Sequence, residues 1–250
     1  MNRTFMNCRY LNCQITVPNG VTSMSETFNG CWNLCVAPIL PPTLENTYRV
    51  FQGCSKFNAP VVFPNRVQTL AYTFFACNNY NQPLNIPDSV TNLYNTFGYC
   101  NSLNQPITIP NSVQNMVSTF YNCQKFNQPV SIPNGVTNMY STFYNCQNLN
   151  QPITIPNSVT NMYSTFEMCK NIRNVTILSK NVTDITRMCS SKNNSVMLNI
   201  HIPPNCNTNN KFSDHYSLLV GSTMIFTYDN ANSRYYNTKY NVYVYYTVGT

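Results

Sequence analysis

Charged side chains are scarce in this sequence. Asp, Glu, Lys and Arg make up 8% of the 250 residues, whereas they form about a quarter of an ordinary soluble domain. The formal net charge of +7 is spread thinly along the chain, and no charged residue occurs between Asp88 and Lys125. Nucleic-acid-binding proteins neutralise phosphates with clustered Lys and Arg, and no such cluster is present. The sequence therefore excludes nucleic acid from the expected partners.

Long apolar runs are also missing. No stretch approaches the roughly 18 apolar residues that a membrane helix needs, and the first residues, MNRTFMNCRYLNC, lack the basic and apolar regions of a secretory signal. We therefore expect no membrane insertion and no signal peptide in the chain as given.

Groups for acid–base chemistry are few. The chain has two histidines and seven scattered carboxylates, and it contains no nucleophile elbow, phosphate loop or metal-binding motif. We expect a protein that is not an enzyme, with no catalytic residues, no metal and no cofactor. An enzymatic alternative would have to use the tail, where His201, Cys206, Asp214 and His215 occur.

What is abundant is repetition. Cysteine recurs with a constant 23-residue step from Cys8 to Cys169, and phenylalanine recurs with the same step from Phe5 to Phe166. Uninterrupted periods of this length are the signature of a solenoid. The expected structural ladders are Phe28, Phe51, Phe74, Phe97, Phe120, Phe143 and Phe166, with Cys31, Cys54, Cys77, Cys100, Cys123, Cys146 and Cys169.

Each unit predicts one short strand and a compact return. The segment ITI at Ile107–Ile109 alternates apolar and polar residues and is followed by Pro and by Asn-Ser, which favours a turn. The return, as in VTNMYSTF, is too short and too rich in Thr and Ser for an independent helix. We therefore predict a β-rich, leucine-rich-repeat-like solenoid of about eight 23-residue coils, in which equivalent strands pair in parallel.

The cysteine ladder is interpreted as packing. Cys is a small, polarizable side chain that suits a buried slot. Stacked cysteines about 4.8 Å apart would permit disulfides, but equivalent thiols offer no preferred pairing, so we expect reduced thiols. A zinc site is a weaker alternative, because Cys8 with Cys13 and Cys31 with Cys35 lack a second ligand pair.

A repeated Asn-Gln-Pro follows each of several cysteine slots. We expect its amides to form a ladder that bonds the backbone of the neighbouring coil, with substrate binding as the alternative. The members are Asn81, Asn104, Asn127 and Asn150 with Gln82, Gln105, Gln128 and Gln151.

The repeat resembles a known family. The letters IPNSVTNM followed by F, C and L at fixed spacing are similar to the BspA-like leucine-rich repeats of bacterial, protist and phage surface proteins, and so is VTNMYSTFYNCQNLNQPI. The resemblance covers about two thirds of the chain. It implies a non-enzymatic repeat scaffold used for adhesion or protein contact.

The ends depart from the repeat. We predict a solenoid over residues 1–174, degenerate last repeats over 175–206, and a C-terminal β-hairpin over 207–250 that either caps the core or docks onto a partner. The first coil is already in phase, so we expect its edge to be covered by a partner or another copy. Candidate docking residues are Phe5, Tyr243 and Tyr245.

Regularly spaced tyrosines provide a candidate binding surface. Aromatic rings among neutral polar neighbours suit protein or glycan contacts, although they could equally cover the turns. These tyrosines are Tyr94, Tyr140, Tyr163, Tyr99, Tyr121 and Tyr144.

The expected function is a structural or interaction protein on a virion or extracellular surface. Without a leader or anchor in the sequence as given, a phage virion component that acts as a decoration, fibre or receptor-contact protein is favoured, and a bacterial or protist cell-surface adhesin is the alternative. Its expected partners are proteins, its own copies in an assembly, or a host surface protein or glycan.

Overall fold

The structure is a computed structural model that describes residues 1–179, 182–185, 187–189, 198–202, 227–229, 234–237 and 242–246. Within these residues the chain forms short β-strands joined by turns, and it contains no helix. The strands are β1 (Leu84–Asn85), β2 (Ile107–Thr108), β3 (Ile153–Ile155), β4 (Asn174–Ile177), β5 (Leu198–Ile202), β6 (Thr227–Asp229), β7 (Arg234–Asn237) and β8 (Val242–Tyr246).

Equivalent strands of neighbouring coils pair in parallel, as predicted. Leu84 of β1 lies opposite Ile107 of β2, one full repeat further on. β3 pairs in parallel with β4, and β4 with β5. The step between paired strand residues is one residue shorter at β4, where Ile153 lies opposite Val175. The return side keeps the full 23-residue step here, from Asn161 to Asp184, so the shift is confined to the strand.

The return side carries a second parallel ladder. Isolated bridges connect equivalent positions of eight successive coils, from Ser23 and Asn46 to Asn161 and Asp184. Backbone N–H groups alternate between two kinds of partner here. The Phe28 N–H donates to Val50 of the next coil at 3.0 Å, whereas the Thr27 N–H closes a turn onto the Met24 carbonyl at 3.0 Å. The return is therefore a series of tight turns bonded coil to coil.

Two residues of each return adopt a left-handed conformation. Glu26 and Gly30 have φ of 56° and 75°, and each is the third residue of a turn, where a type II turn requires positive φ. The equivalent positions hold Arg49 and Tyr72, each with φ 56°, and Tyr99 with φ 62°. Such conformations cost roughly 1–2 kcal/mol for a non-glycine residue. The coil-to-coil hydrogen bonds hold these residues in place.

The phenylalanine ladder forms the centre of the core. Its members from Phe28 to Phe166 are fully buried, and rings one coil apart are 5.4–5.8 Å between centroids and within 17° of parallel. Aromatic pairs stabilise a core by about 0.5–1.5 kcal/mol beyond the area they bury. In the first coil Phe5 is only half-buried and Cys8 is exposed. The phenylalanine and cysteine slots are therefore fully buried only from the second coil onward.

The cysteine ladder has a hydrogen-bonding role besides packing. Each thiol from Cys31 to Cys169 donates to the carbonyl of a ladder phenylalanine in the preceding coil, at 2.9–3.1 Å. A nearby threonine slot bonds in the same way, as in Thr96 to the Leu70 carbonyl at 2.9 Å. These carbonyls already accept a backbone N–H within their own coil, as Phe28 does from Cys31, so the thiol or hydroxyl supplies a second hydrogen bond that links the coils.

The predicted amide ladder is present at the corner before the strand. The Asn104 N–H donates to Asn81 Oδ1 at 2.8 Å, and the Asn127 N–H donates to Asn104 Oδ1 at 2.9 Å. Gln128 Nε2 donates to the Asn104 carbonyl at 3.0 Å. The Asn amides thus bind the backbone of the following coil, and the Gln128 amide binds that of the preceding coil. Together they fix the position of the corner.

The C-terminal segment has more strands than the predicted hairpin. β6 and β7 are antiparallel across the Asp229–Arg234 pair, and β8 forms a third strand that is antiparallel to β7 and parallel to β5. The sheet order is β3-β4-β5-β8-β7-β6. The second aromatic run thus supplies two strands, β7 and β8, and the solenoid sheet continues through them.

The buried thiols should be inert in the native protein. Burial raises the pKa of Cys31 to about 11 and raises the pKa of the ladder cysteines further along the chain, so the reactive thiolate is absent near neutral pH. Iodoacetamide at pH 8 should label Cys8, Cys13 and Cys35, which are exposed. The ladder cysteines should become labelled only after unfolding without reductant. Ladder thiols that remain blocked after unfolding would contradict this prediction.

Candidate binding surface

The first group of predicted surface tyrosines lies six residues before the cysteine slot. Tyr140 and Tyr163 stack with centroids 5.0 Å apart and rings within 7° of parallel, and Tyr140 is 42% exposed. The preceding asparagine fixes each backbone, because Asn138 Oδ1 accepts the Tyr140 N–H and Asn161 Oδ1 accepts the Tyr163 N–H, both at 2.9 Å. The Asn-Met-Tyr of the repeat is therefore an Asx turn that orients a ring.

The second group forms a row of its own. Tyr99 lies 5.4 Å from Tyr121, and Tyr121 stacks on Tyr144 at 4.6 Å with the rings within 4° of parallel. Tyr99 is 37% exposed. Burial and the neighbouring Tyr99 and Tyr144 raise the pKa of Tyr121 to about 12. The Tyr121 hydroxyl is therefore a neutral donor at physiological pH.

Two residues that the sequence analysis did not select, Tyr72 and Phe75, connect the two rows of tyrosines. Tyr72 lies 5.1 Å from Tyr94, 5.9 Å from Tyr48 and 5.5 Å from Phe75. Phe75 in turn lies 5.3 Å from Tyr99. A hydrogen bond with Tyr72 is the largest cause of a raised pKa at Tyr94. We call the resulting aromatic patch the tyrosine surface; it consists of Tyr48, Tyr72, Phe75, Tyr94, Tyr99, Tyr121, Tyr140, Tyr144 and Tyr163.

Two of the three members that the sequence analysis missed carried a signal in the sequence. Tyr48 lies two full repeats before Tyr94, and Phe75 lies two full repeats before Tyr121, so each shares a slot with a selected tyrosine. Tyr72 carried none, because its slot holds Arg, Glu, Asn or Ser in the other coils. Its contact with both rows depends on the turn geometry.

An arginine is held against the tyrosine surface near its N-terminal end. The guanidinium carbon of Arg49 lies 4.8 Å from the centre of the Tyr48 ring and 4.9 Å from that of Tyr72. Guanidinium groups are attracted to aromatic faces at such distances. The positive charge is thus part of the aromatic patch.

An ion pair lies at the other end. Arg187 binds the Glu167 carboxylate in a bidentate arrangement, with Nε 3.1 Å from both oxygens, and the Ser164 hydroxyl donates to the same carboxylate at 2.6 Å. The Glu167 side chain is 4% exposed and that of Arg187 is 51% exposed. Tyr144 and Tyr163 are close enough to help raise the pKa of Arg187.

The strand side of the coils offers a contrasting surface. A shallow groove of about 550 Å³ runs across outward residues such as Thr108, Ser131 and Thr154. A second groove, of about 500 Å³, is lined by prolines and by the exposed Ile39 and Val62. Neither lining contains a titratable side chain. These grooves are concave but provide no charged or ionisable group for a ligand.

The remaining predicted residues are placed as follows. Phe5 stacks on Phe28 at 5.5 Å. Tyr243 and Tyr245 lie on β8, opposite Asn199 and His201 of β5.

Residues Cys206, Asp214 and His215 of the enzymatic alternative lie outside the described residues. In the described part of the chain, no three His, Cys, Asp or Glu side chains are grouped to hold a metal. No helix there is long and apolar enough to cross a membrane.

Removing either partner of the Arg187–Glu167 pair should cost a different amount of unfolding free energy. Arg187→Leu leaves a buried carboxylate without its cation and should lower the free energy of unfolding by about 2 kcal/mol. Glu167→Gln should cost less, because the half-exposed Arg187 can turn into water. Urea unfolding of both variants measures the difference. Equal losses would show that the pair contributes as a unit and that burial of the carboxylate is unimportant.

Three solved structures share the fold. A leucine-rich repeat protein from Bacteroides ovatus is 16% identical, with a TM-score of 0.58, and the match covers 81% of this chain and 58% of that protein. The T. pallidum leucine-rich repeat protein is 22% identical, with a TM-score of 0.54 and coverage of 64% and 78%. A leucine-rich cell surface protein from Faecalibacterium prausnitzii is 19% identical, with a TM-score of 0.51 and coverage of 90% and 66%.

These similarities confirm the leucine-rich-repeat solenoid and the predicted BspA-like character of the repeat. They concern the fold, since the identities are low. The chain spans 58% of the Bacteroides protein and 66% of the Faecalibacterium protein. No curated protein matches the chain at a significant level.

The sequence also matches a family defined by such repeats. The matches overlap and cover residues 1–85, 22–131, 45–155 and 91–208. Overlapping matches are what a tandem repeat produces, because each coil can align with several others. The chain belongs to the family described as Mycoplasma protein of unknown function, DUF285.

Proposed function

We propose that the chain is a non-enzymatic interaction scaffold at an extracellular surface, and that it binds a protein or glycan partner through the tyrosine surface. The observation that carries this proposal is the contact between the two tyrosine rows through Tyr72 and Phe75. Seven aromatic side chains are thereby linked by ring contacts, and the stacked pair of Tyr140 and Tyr163 continues the slot of Tyr94 along the same regular backbone.

The physical properties of the patch support binding. Tyrosine rings supply contact area at a small cost in conformational entropy. Stacking against neighbours, as for Tyr121 and Tyr144, fixes the rings before a partner arrives, which reduces the entropy lost on binding. The neutral hydroxyls remain available as donors and acceptors.

The three glutamates of the described residues are all engaged in ion pairs. Glu26 is bound by Arg3, Glu45 by Arg66 and Glu167 by Arg187. These carboxylates therefore serve contacts within the solenoid, which supports a scaffold role.

Two settings accommodate such a scaffold. A cell-surface adhesin is supported by the similarity to a protein described as a leucine-rich cell surface protein. A phage virion component, which was favoured from the sequence, is the second candidate and rests on the repeat resemblance alone. Mass spectrometry of isolated cell envelopes and of purified virions distinguishes them: we expect the chain in the envelope fraction, and its recovery only from virions would refute that setting.

The tyrosine surface is tested by removing its most exposed rings. The double variant Tyr99→Ala/Tyr140→Ala should bind at least about tenfold more weakly to a panel of immobilised extracellular-matrix proteins and glycans, since exposed aromatic anchors carry much of the binding energy at interfaces. The matched control Thr108→Ala/Thr154→Ala changes two exposed residues of the strand side. If the control loses binding and the tyrosine variant does not, the partner binds the strand side.

A further inference from the structure

Arg49 lies against the tyrosine surface, and packing alone does not explain why its guanidinium is placed there. The guanidinium lies in the corner between Tyr48 and Tyr72, whose rings are 5.9 Å apart and inclined at 85°. Arg49 is half-buried. Two aromatic faces therefore fix the direction of the side chain while part of it reaches the surface.

The guanidinium of Arg49 lacks an acceptor. Its Nε is buried without a hydrogen-bond partner. In the described part of the chain, the three ion pairs involve Arg3, Arg66 and Arg187 and leave Arg49 without a carboxylate. A buried donor without a partner is costly. The Oε1 of Gln52, three residues further on, is likewise buried without a partner, so this turn contains a neutral amide acceptor. The charge of the guanidinium, however, is not neutralised by any carboxylate of the described residues.

Arginines at the equivalent position in two other coils show what kind of group this position can bind. Arg3 and Arg187 occupy the slot of Arg49 and share its left-handed backbone, with φ of 57° and 56°. Arg3 holds Glu26 through Nε at 3.0 Å and a terminal nitrogen at 3.1 Å. Arg187 holds Glu167 in the same bidentate manner. This turn geometry presents a guanidinium fork to a carboxylate.

The equivalent carboxylate positions around Arg49 hold neutral side chains. Glu26 lies one full repeat after Arg3, and the residue one repeat after Arg49 is Tyr72. Glu167 lies in the coil before Arg187, and the same offset leads from Arg49 back to Asn29. The glutamate one coil back from Arg49 is Glu26, which Arg3 already binds.

We propose that Arg49, with Tyr48 and Tyr72, is a subsite for the carboxylate of an acidic glycan. This inference rests on the proposed function of the tyrosine surface. Because Nε is buried, the two terminal nitrogens of the guanidinium bind the carboxylate of a uronic or similar acidic sugar through bidentate, charge-assisted hydrogen bonds. The Tyr48 and Tyr72 rings hold the guanidinium on their faces and thereby fix where the carboxylate binds.

The surroundings favour a sugar over an acidic peptide. The hydroxyls of Tyr72 and Tyr94, which hydrogen-bond each other, are polar groups that match sugar hydroxyls. Tyr and Arg also occur at protein interfaces, but the buried centre of such an interface is apolar, and the exposed apolar residues Ile39 and Val62 lie in the strand-side groove instead. The glycan is therefore the occupant that the chemistry of this corner fits.

The test compares acidic and neutral forms of the same polymer. Polygalacturonate and hyaluronan fragments, each with its carboxyl-reduced counterpart, are titrated calorimetrically into the full chain at fixed ionic strength. The wild type should bind the carboxylated forms about tenfold more tightly, the range of a hydrogen-bonded charge. Arg49→Gln should abolish this preference, so that the carboxylated and the carboxyl-reduced forms bind with the same affinity.

A matched control excludes a simple effect of net charge. Arg9→Gln removes the same charge from an arginine that also lies on an aromatic ring, 4.5 Å from the centre of Trp32, and it should keep the preference. Loss of the preference in Arg9→Gln, equal binding of acidic and neutral forms by the wild type, or no binding of either polyuronate would overturn the inference. So would Arg49-dependent binding of poly-L-glutamate in place of the glycans.

These outcomes are separable from failure of the tyrosine surface itself. If Tyr99→Ala/Tyr140→Ala abolishes partner binding while Arg49→Gln has no effect, the surface binds a partner and the acidic subsite is wrong.

Discussion

The backbone hydrogen bonds between successive returns are the interaction on which the rest of this structure depends. Each ladder phenylalanine donates its N–H to the next coil, as Phe97 does to Thr119 at 2.9 Å, and intervening residues close turns within their own coil. This alternation satisfies the backbone of a segment that is neither helix nor regular strand. It also fixes the register at one whole repeat, so that a side chain in one slot meets its equivalent in the next coil.

The register converts single residues into continuous surfaces. Inside, it stacks the phenylalanines and aligns each thiol with a carbonyl; outside, it stacks Tyr121 on Tyr144 and Tyr140 on Tyr163. A binding surface on such a scaffold requires only that outward slots hold rings in successive coils. The register also positions Tyr72 and Arg49, which occupy left-handed positions. There the turn directs the side chain outward, and the hydrogen bonds between coils stabilise the backbone.

The buried ladders were predictable because their slots repeat without interruption. The same period predicted the parallel pairing of strands such as β1 with β2, and the Asn-Gln-Pro amides. Cys in one slot was predicted as packing, but its bond to a phenylalanine carbonyl depends on a distance between coils that the sequence does not state. The tyrosine surface was predicted in part, since Tyr72 and Arg49 each occur in a variable slot and meet their neighbours through turn geometry. The third strand of the C-terminal segment was missed because an aromatic run gives no sign of where it turns.

Amide hydrogen exchange of the native protein tests the central role of the inter-coil ladder most directly. The amides of Phe51, Phe74, Phe97, Phe120 and Phe143 each bond the following coil. They should be among the slowest to exchange, with similar protection in all five coils, because opening one return removes partners from its neighbours. Exchange of these amides at the rate of an unstructured peptide, or protection confined to the strand side, would contradict the account.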